Sequence, residues 1–492
     1  MDIQGNIKRI TSNVNFENLI KIVALAVFFI FSLYQVLTHV PFFDEVNAWN
    51  IAAYLKPSEI FEITRHEGHL FIWYFILKPF AQNDLWYPYS MQIINWLFAF
   101  GAILLLWYYS PFNTITKMFI TFSLPVKVFY IHARCYSIGI FLLFLLCVLY
   151  KNRLKHPICY SILLVLIANT SIMAGILAFS LGLCFIYDLA KAKSEKIITN
   201  KDILLSVGIC LLGAVGVISQ LYNFVIPYYS VESVSHAKNF YSFYLGTGTN
   251  IVNIIFAICH LGLLAFSWNF FEKNKLPFIY LLLSNLILMI MFFEVYRSTV
   301  WHFVFLFITL IIALWMYLSE YSISDKFQKS YLNIFCLMFV FLTFFPGDYV
   351  SSGPHIPFLK YIQNNIETFD GKKMFFFPTE ARVVGIVPEL SKTNISFYDC
   401  YGNSLKSKDF YIHQWDKPEI DFEKISNLLN VGEIAYVVID SFHPERDFNF
   451  YFDTYAKIYL QKHCDLNIKY LGFDNNVYMW QITKIVDNEV KT

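Results

Sequence analysis

Residues 157–190 read PICYSILLVLIANTSIMAGILAFSLGLCFIYDLA, and the only charged side chain in this stretch is that of Asp188. As one α-helix the stretch would be about 50 Å long at roughly 1.5 Å per residue. The hydrocarbon core of a bilayer is only about 30 Å thick. We therefore expect two membrane helices here, separated near the polar residues Asn169-Thr170-Ser171.

The composition of the whole chain extends this interpretation. Of the 492 residues, 57% are hydrophobic and 15% are charged, whereas soluble domains carry about 25% charged residues. A soluble globule of this size could not bury so much apolar surface. The composition excludes an ordinary soluble enzyme, a disordered chain and a protein that binds nucleic acid through a basic surface. It indicates a polytopic membrane protein, with membrane lipids as its surroundings and no nucleic acid as a partner.

Eleven stretches have the apolar character of membrane helices, which need about 20 residues each. They lie near 19–39, 90–109, 115–132, 135–150, 157–171, 173–190, 203–225, 250–271, 277–293, 301–319 and 329–345. Pro125 and Lys127 interrupt the third of them. The sequence thus predicts an all-α polytopic bundle of about 11 transmembrane helices over residues 1–345, with a long first outer loop that contains interfacial helices.

The distribution of basic residues gives the expected orientation through the positive-inside rule. With a cytoplasmic N-terminus, the loops predicted to lie inside are the ones rich in Lys and Arg, and the outer loops contain few for their length. The inner basic residues are Lys117, Lys151, Arg153, Lys155, Lys191, Lys193, Lys196, Lys201, Lys273, Lys275, Lys326 and Lys329. We therefore expect a multi-pass protein of the plasma or inner membrane, with residues 40–89 and the tail from 346 onward outside.

Residues 346–492 are predicted to form a separate extracytoplasmic α/β domain. More than half of the 36 Asp and Glu residues of the chain lie there. Strand-like runs at 374–377, 395–398, 435–439 and 477–480 alternate with helical patterns at about 419–430 and 449–463. This tail contains no glycine-rich phosphate loop and no catalytic motif, so we expect a lid or scaffold. The sequence leaves open whether Cys400 and Cys464 form a disulfide.

The first outer loop begins with PFFDEVNAWNIA at 41–52, and two adjacent carboxylates there follow directly on the first membrane helix. Asp44 is expected close to the lipid boundary, where a low dielectric makes a carboxylate costly. Helix capping is the alternative, since Asp is a good N-cap and Glu in a first turn suits the helix dipole. We favour a functional role for Asp44, and for Glu45 both interpretations stay open.

Three further polar clusters lie on the same predicted side of the membrane. They are Arg65-His66-Glu67-Gly68-His69, His132-Ala133-Arg134-Cys135-Tyr136-Ser137, and the segment from Glu294 through Arg297 to His302. The predicted spans contain almost no charge near the bilayer centre, where an ion or proton path would require it. This distribution favours chemistry at the outer interface on a lipid-borne substrate.

Each cluster also has a plainer explanation. His66 and His69 could hold a divalent cation together with Asp44 and Glu45, but this spacing alone is a weak metal signal, and no motif requires a cofactor. Arg134 is suited to a phosphate, although an arginine at this depth also extends to lipid headgroups.

These motifs together resemble the C-type integral-membrane glycosyltransferase superfamily, which includes protein O-mannosyltransferases and lipid A aminoarabinose transferases. The matching residues are Phe43-Asp44-Glu45 with Trp49 and Ala52-Ala53, then Glu67-Gly68-His69-Leu70-Phe71 with Trp73-Tyr74, Ala133-Arg134-Cys135-Tyr136-Ser137, and Arg297 with Trp301-His302-Phe303. The resemblance covers roughly residues 20–320. The relatives carry His-Pro-Pro-Leu where this chain has Glu67-Gly68-His69-Leu70.

The resemblance implies a transferase that takes a sugar from a polyprenyl-phosphate carrier at the outer leaflet and passes it to a hydroxyl group of a lipid, glycan or protein. Asp44 would be the catalytic base for an inverting displacement, and Glu45 would orient the acceptor or a cation. Arg134, with Arg297 and His302, would stabilise the leaving phosphate. The other substrate-binding residues implied are His66, Glu67, His69 and Tyr136.

Two other functions stay open at this point. A transporter or flippase of a lipid-linked substrate would need a continuous polar path through the bundle, for which the mid-span candidates are Asn95, Asn169, Gln220 and Asn285. Amides of this kind more often join helices to one another. A non-catalytic membrane scaffold would depend on the tail alone and would not need the outer-face acids.

Overall fold

The computed structural model describes residues 3–67, 69–83, 85–221, 251–292, 300–323, 325–343, 356–377, 387–390, 393–399, 401–407, 421–440, 453–463, 465–471 and 477–485. Arg297 lies outside the described residues, and so do the side chains of His66 and Glu67. Cys400 and Cys464 lie outside them as well, so their pairing stays a prediction.

The first part of the chain is built from helices, as its apolar composition requires. In chain order they are α1 (Ile3–Thr38), α2 (Phe43–Tyr54), α3 (Pro57–Glu67), α4 (Ile72–Ala81), α5 (Tyr89–Tyr109), α6 (Thr114–Phe122), α7 (Leu124–Ile131), α8 (Tyr136–Leu149), α9 (Pro157–Ala168), α10 (Ile172–Ser194), α11 (Asn200–Leu221), α12 (Ile251–Phe270), α13 (Leu276–Ile290), α14 (Val300–Phe303), α15 (Phe305–Glu320) and α16 (Lys326–Thr343). Helices α2, α3 and α4 occupy the predicted first outer loop.

Several of these helices could cross a membrane, which fits a membrane protein. Among the described residues, four are both long and apolar enough: residues Phe16–Thr38 of α1, then α5, α10 and α11. The bent pair α6 and α7 adds a fifth if it is counted as one span. Shorter apolar helices of 10–17 residues, among them α9, α13 and α15, lie at other predicted spans. Helix length therefore does not confirm the predicted count of about 11.

The predicted span at 115–132 is not one helix, which corrects the sequence interpretation. Helices α6 and α7 meet at an angle of 48°. Ser123 between them has an extended backbone, and Pro125 lies in the first turn of α7. Proline has no N–H to donate, so it is tolerated at a helix start and interrupts a helix interior. The proline that weakens the apolar pattern here is thus the physical cause of the break.

The break predicted inside 157–190 is present. Helix α9 ends at Ala168, and Ser171 caps α10 by accepting a hydrogen bond from the Ala174 N–H. The gap also contacts the predicted first outer loop, because Ser171 forms an isolated antiparallel bridge with His69.

The amides predicted as mid-span candidates join chain segments to one another. Gln220 on α11 donates to Asn169 Oδ1 at 2.9 Å and accepts from the Phe71 N–H at 3.2 Å. Asn95 donates to the carbonyl of Phe129 at 2.9 Å. Asn285 donates to the Leu281 carbonyl and to the Thr309 hydroxyl, both at 2.8 Å. Their hydrogen bonds are those of helix packing.

The tail is an α/β unit, as predicted. Its sheet consists of β1 (Lys373–Phe377), β2 (Ser396–Asp399), β3 (Ile434–Asp440), β4 (Leu466–Tyr470) and β5 (Val477–Lys484) in the order β2-β1-β3-β5-β4. Strands β1, β2 and β3 are parallel, and β5 runs antiparallel to both β3 and β4. The helices of this part are α17 (Ile356–Asn364), α18 (Ile366–Phe369), α19 (Phe422–Asn427) and α20 (Asp453–Lys462).

The tail lies against the first part of the chain. One apolar core is continuous from the membrane helices to buried residues of the sheet such as Phe376 and Val438. In addition, Lys406 Nζ stands 5.9 Å from the centre of the Tyr54 ring at the end of α2. The segment that follows β2 therefore lies close to the end of α2, the helix that carries Asp44.

Helix α11 packs closely on α9 at Gly213. A Cβ at Gly213 would lie 2.3 Å from Val165 Cγ2, whereas one at Gly208 meets nothing within 4 Å. Since Val is stiff at χ1, we expect Gly213→Ala to destabilise the protein by about 1–3 kcal/mol through overpacking. Gly208→Ala on the same helix is the control. Thermal unfolding in detergent measures both, and equal midpoints for the two variants would contradict this packing.

Candidate functional site

Helix α2 carries both predicted catalytic acids and is fixed at its two ends. At the start, the Phe42 N–H donates to Glu45 Oε2 at 2.7 Å, so that a side chain in the first turn satisfies a backbone donor. At the end, Lys78 of α4 donates from Nζ to the Ala52 carbonyl at 3.2 Å and to the Leu55 carbonyl. A cation at the C-terminus of a helix also suits its dipole.

Glu45 is buried and contacts two separate parts of the chain, the linker at 39–42 and the turn at 132–133. Its side chain is 1% exposed. His39, which follows α1, donates from Nε2 to Oε2 at 2.8 Å. The Ala133 N–H donates to Oε1 at 2.6 Å, and His132 Nδ1 lies 3.9 Å from Oε2. These contacts make Glu45 a positioning residue, because both of its oxygens are occupied by the protein itself.

The charge of Glu45 is stabilised despite its burial. Burial by itself would raise the pKa of this carboxyl, but the His39 and His132 imidazoles beside it hold that pKa well below the ordinary value. The carboxylate therefore stays ionised, with the His39 imidazole hydrogen-bonded to it.

Asp44 has the opposite environment from its neighbour. Its side chain is 34% exposed, and its Oδ2 lies 3.1 Å from Nη1 of Arg134, whose own side chain is 10% exposed. The Arg134 N–H donates to the His132 carbonyl at 2.8 Å, which closes a tight turn. That turn leaves the Ala133 N–H directed at Glu45, so the buried carboxylate positions the loop that presents Arg134 to Asp44.

A small open cleft lies beside this ion pair. It is lined by Phe42, Asp44, Glu45, His132, Arg134 and Tyr136. The cleft has room for about one water molecule, so a larger substrate group would enter only if the lining side chains move. A carboxylate and a guanidinium thus face the same space, as the predicted chemistry requires.

A second group of predicted residues adjoins the cleft through Tyr136. The Tyr136 hydroxyl lies 2.9 Å from His302 Nε2, and the Cys135 thiol lies 3.2 Å from His69 Nδ1. The rings of His69 and Tyr136 meet edge to face with centroids 5.5 Å apart. Burial and the positive charge of Arg134 both lower the pKa of His69, so this imidazole is neutral at physiological pH.

The structure thus brings together Asp44, Glu45, Arg134 and Tyr136 around the cleft, with His69 and His302 linked to Tyr136 and its neighbour Cys135. His69 lies against Cys135 instead of the acid pair. Among the described residues, His69 is therefore not part of a cation site with Asp44 and Glu45. His39, at the end of an apolar span, was not singled out, and His132 belonged to a predicted cluster but was assigned no role. Only their histidine chemistry could have singled them out.

Comparisons with known proteins add no family assignment. A scan against protein-family models gives no match, and a search of the curated proteins gives none either. The functional interpretation therefore depends on the residues and geometry of this chain.

The contrast between two similarly placed glutamates gives a prediction. Glu59 accepts a hydrogen bond from the Lys56 N–H at 2.7 Å at the exposed start of α3, as Glu45 does at the start of α2. Breaking a buried ion pair by removing one partner costs about 3–5 kcal/mol. We expect Glu45→Gln to lower the thermal midpoint in detergent markedly, and Glu59→Gln to change it little. A Glu45→Gln variant as stable as the control would refute the anchoring role.

Proposed function

We propose that the protein is an integral-membrane glycosyltransferase. It transfers a sugar from a polyprenyl-phosphate carrier to a hydroxyl group of a lipid, glycan or protein at the outer leaflet, with inversion at the anomeric carbon. The observation that carries the proposal is the pairing of a partly exposed carboxylate, Asp44, with a guanidinium, Arg134, at one open cleft. This combination suits a reaction that removes a proton at one end and releases a phosphate at the other.

Asp44 is the base in this proposal. One oxygen of its carboxylate accepts the proton of the acceptor hydroxyl as the hydroxyl oxygen attacks the anomeric carbon. A new carbon–oxygen bond forms on the face opposite the leaving phosphate, and the bond from carbon to phosphate oxygen breaks with its electron pair going to that oxygen. Glu45 takes no part in proton transfer and keeps α2 in position.

Arg134 stabilises the leaving group. Its guanidinium can form two parallel hydrogen bonds to phosphate oxygens, and it lies within 3.1 Å of the base. Charge developing on the leaving phosphate would draw Arg134 away from Asp44 and so free the carboxylate. Tyr136 and His302, hydrogen-bonded beside the cleft, are placed for further contacts to the donor. Binding roles for His66, Glu67, His69 and Arg297 stay predictions of the family resemblance.

The proposal includes the predicted topology. About 11 spans, a cytoplasmic N-terminus and an external tail would put α2 and its cleft at the outer face of the plasma or inner membrane. The basic residues of the predicted inner loops support this orientation. The contact between Lys406 and Tyr54 supports a common side for the tail and α2.

The partners of the mid-span amides support a transferase over a transporter or flippase. Asn95, Asn169, Gln220 and Asn285 are engaged in hydrogen bonds between or within helices. A polar path for a substrate would require such groups to face an open channel. The cleft instead lies among residues of the outer loop and the turn at 132–134.

The direct test uses the purified full-length protein with a polyprenyl-phosphate sugar and candidate acceptors. We expect Asp44→Asn to lower the turnover at least about 100-fold, since the general base is removed, while its thermal midpoint stays near that of the wild type. Asp202→Asn, at the start of α11, is the control for loss of a carboxylate. Mass spectrometry of the acceptor measures transfer.

Two outcomes would overturn the proposal. Wild-type turnover in Asp44→Asn would remove the assigned base. A substrate that crosses the membrane of reconstituted vesicles with its mass unchanged, and no glycosylated product, would establish transport instead.

Arg134 allows a graded prediction. Removing one group that stabilises developing charge costs about 100- to 1000-fold in kcat. We expect a loss of that size for Arg134→Gln and a smaller loss for Arg134→Lys, which keeps the charge without the planar fork. Lys155→Gln, at an exposed inner position, should leave kcat unchanged. Equal activity of the Gln and Lys variants would argue against a phosphate contact.

A further inference from the structure

A cluster behind the Asp44–Arg134 pair has the composition of a metal site. His39, Glu45 and His132 come from the ends of α1, α2 and α7, and their side chains are 2%, 1% and 9% exposed. Each offers one nitrogen or oxygen atom, and these atoms all lie within 4.8 Å of one another. No other such group of three occurs among the described histidines, cysteines and acids.

We propose that these three side chains bind a divalent transition-metal ion, for which Zn²⁺ is the best match. Two imidazoles and one carboxylate form a ligand set typical of zinc and suit related ions such as Co²⁺ and Ni²⁺. Mg²⁺ and Ca²⁺ prefer oxygen ligands throughout. The proposal concerns binding alone and does not depend on the proposed glycosyltransferase activity.

The distances accommodate an ion after small movements. Tetrahedral ligands at about 2.0–2.1 Å from zinc are roughly 3.3 Å apart. The two distances to Glu45 Oε2 lie on either side of that value, 2.8 Å from His39 Nε2 and 3.9 Å from His132 Nδ1. The ion would take the place of the proton that His39 and Glu45 share. The hydrogen bond from the Phe42 N–H to the same oxygen can persist, since a carboxylate oxygen has two acceptor positions.

The site would keep an open position. Glu45 and His132 both line the cleft that contains Asp44 and Arg134. A fourth ligand, a water molecule or an oxygen atom of a bound molecule, would therefore come from the cleft side. Three protein ligands with one open position are the arrangement of catalytic zinc sites rather than structural ones.

The surroundings set the expected affinity. The Glu45 carboxylate is oriented by the backbone N–H groups of Phe42 and Ala133. His39 Nδ1 has no hydrogen-bond partner within the described ranges. Since an outer partner on a ligating histidine is worth about 10- to 100-fold in metal affinity, we expect weaker binding than in a zinc site that has one.

The experiment uses the full-length protein in detergent, treated with a chelator and then titrated with Zn²⁺ or Co²⁺. We expect one ion bound per chain, a higher thermal midpoint with Zn²⁺, and visible absorption of low-coordinate Co²⁺ that Zn²⁺ displaces. Mg²⁺ should have no effect. His39→Gln and His132→Gln should weaken binding at least about tenfold, while His156→Gln, at the start of α9, should bind as the wild type does.

A variant that gains an absorption band separates a lost metal ligand from poor folding. His132→Cys would supply a thiolate ligand, so its Co²⁺ complex should acquire a thiolate-to-cobalt charge-transfer absorption in the near ultraviolet that the wild type lacks. Absence of any bound ion in the wild-type protein would overturn the proposal. So would a Co²⁺ spectrum that His132→Cys leaves unchanged, and the cluster would then be a proton-sharing ion pair only.

Discussion

The buried carboxylate of Glu45 is the constraint on which the arrangement of the candidate site depends. A charge taken out of water is costly unless it is paired and fully hydrogen-bonded. Glu45 meets this requirement with His39 at 2.8 Å, the Phe42 N–H at 2.7 Å and the Ala133 N–H at 2.6 Å. These partners come from the linker at 39–42 and from the turn after α7, so satisfying one charge brings the ends of α1 and α7 to the start of α2. The position of Asp44 opposite Arg134 follows from that assembly.

Adjacent acids thereby acquire opposite roles. Successive residues on a helix point about 100° apart, and here one direction leads into the protein and the other into an open cleft. Asp44 is partly exposed and pairs with Arg134 at the cleft, while Glu45 is held by the protein on both oxygens. The fixed position of Glu45 supports the proposed role of Asp44, since a catalytic group must be held within a fraction of an ångström of its productive position.

Local patterns made much of the fold predictable. Apolar runs located most of the long helices, the polar triplet at 169–171 located a break, and strand-like runs located four of the five strands in the part of the tail that the structure describes. Pro125 weakened one span and in fact breaks it at Ser123. Strand β4 was not predicted, because it lies at the sheet edge and its residues Asn467 and Lys469 are exposed. Charged residues are usual on edge strands, so the sequence there lacks an apolar run.

The site was predictable only in part, for physical reasons. The acid pair and Arg134 stand out because charges at a membrane boundary are costly. The contact between Glu45 and Ala133 spans 88 residues, and no short-range pattern encodes a pairing of that kind. The rotation of α2 about its axis, which decides which acid is buried, is likewise fixed by tertiary contacts.

Carboxyl footprinting distinguishes the environments of Asp44 and Glu45. A water-soluble carbodiimide with an amine would be applied to the intact protein in detergent, and modification at each residue read by fragment mass spectra. We expect Asp44 to be labelled and Glu45 to stay unlabelled. A bound polyprenyl-phosphate sugar should protect Asp44 from the reagent. Equal labelling of the two acids, or labelling of Asp44 that no lipid-phosphate sugar reduces, would contradict these expectations.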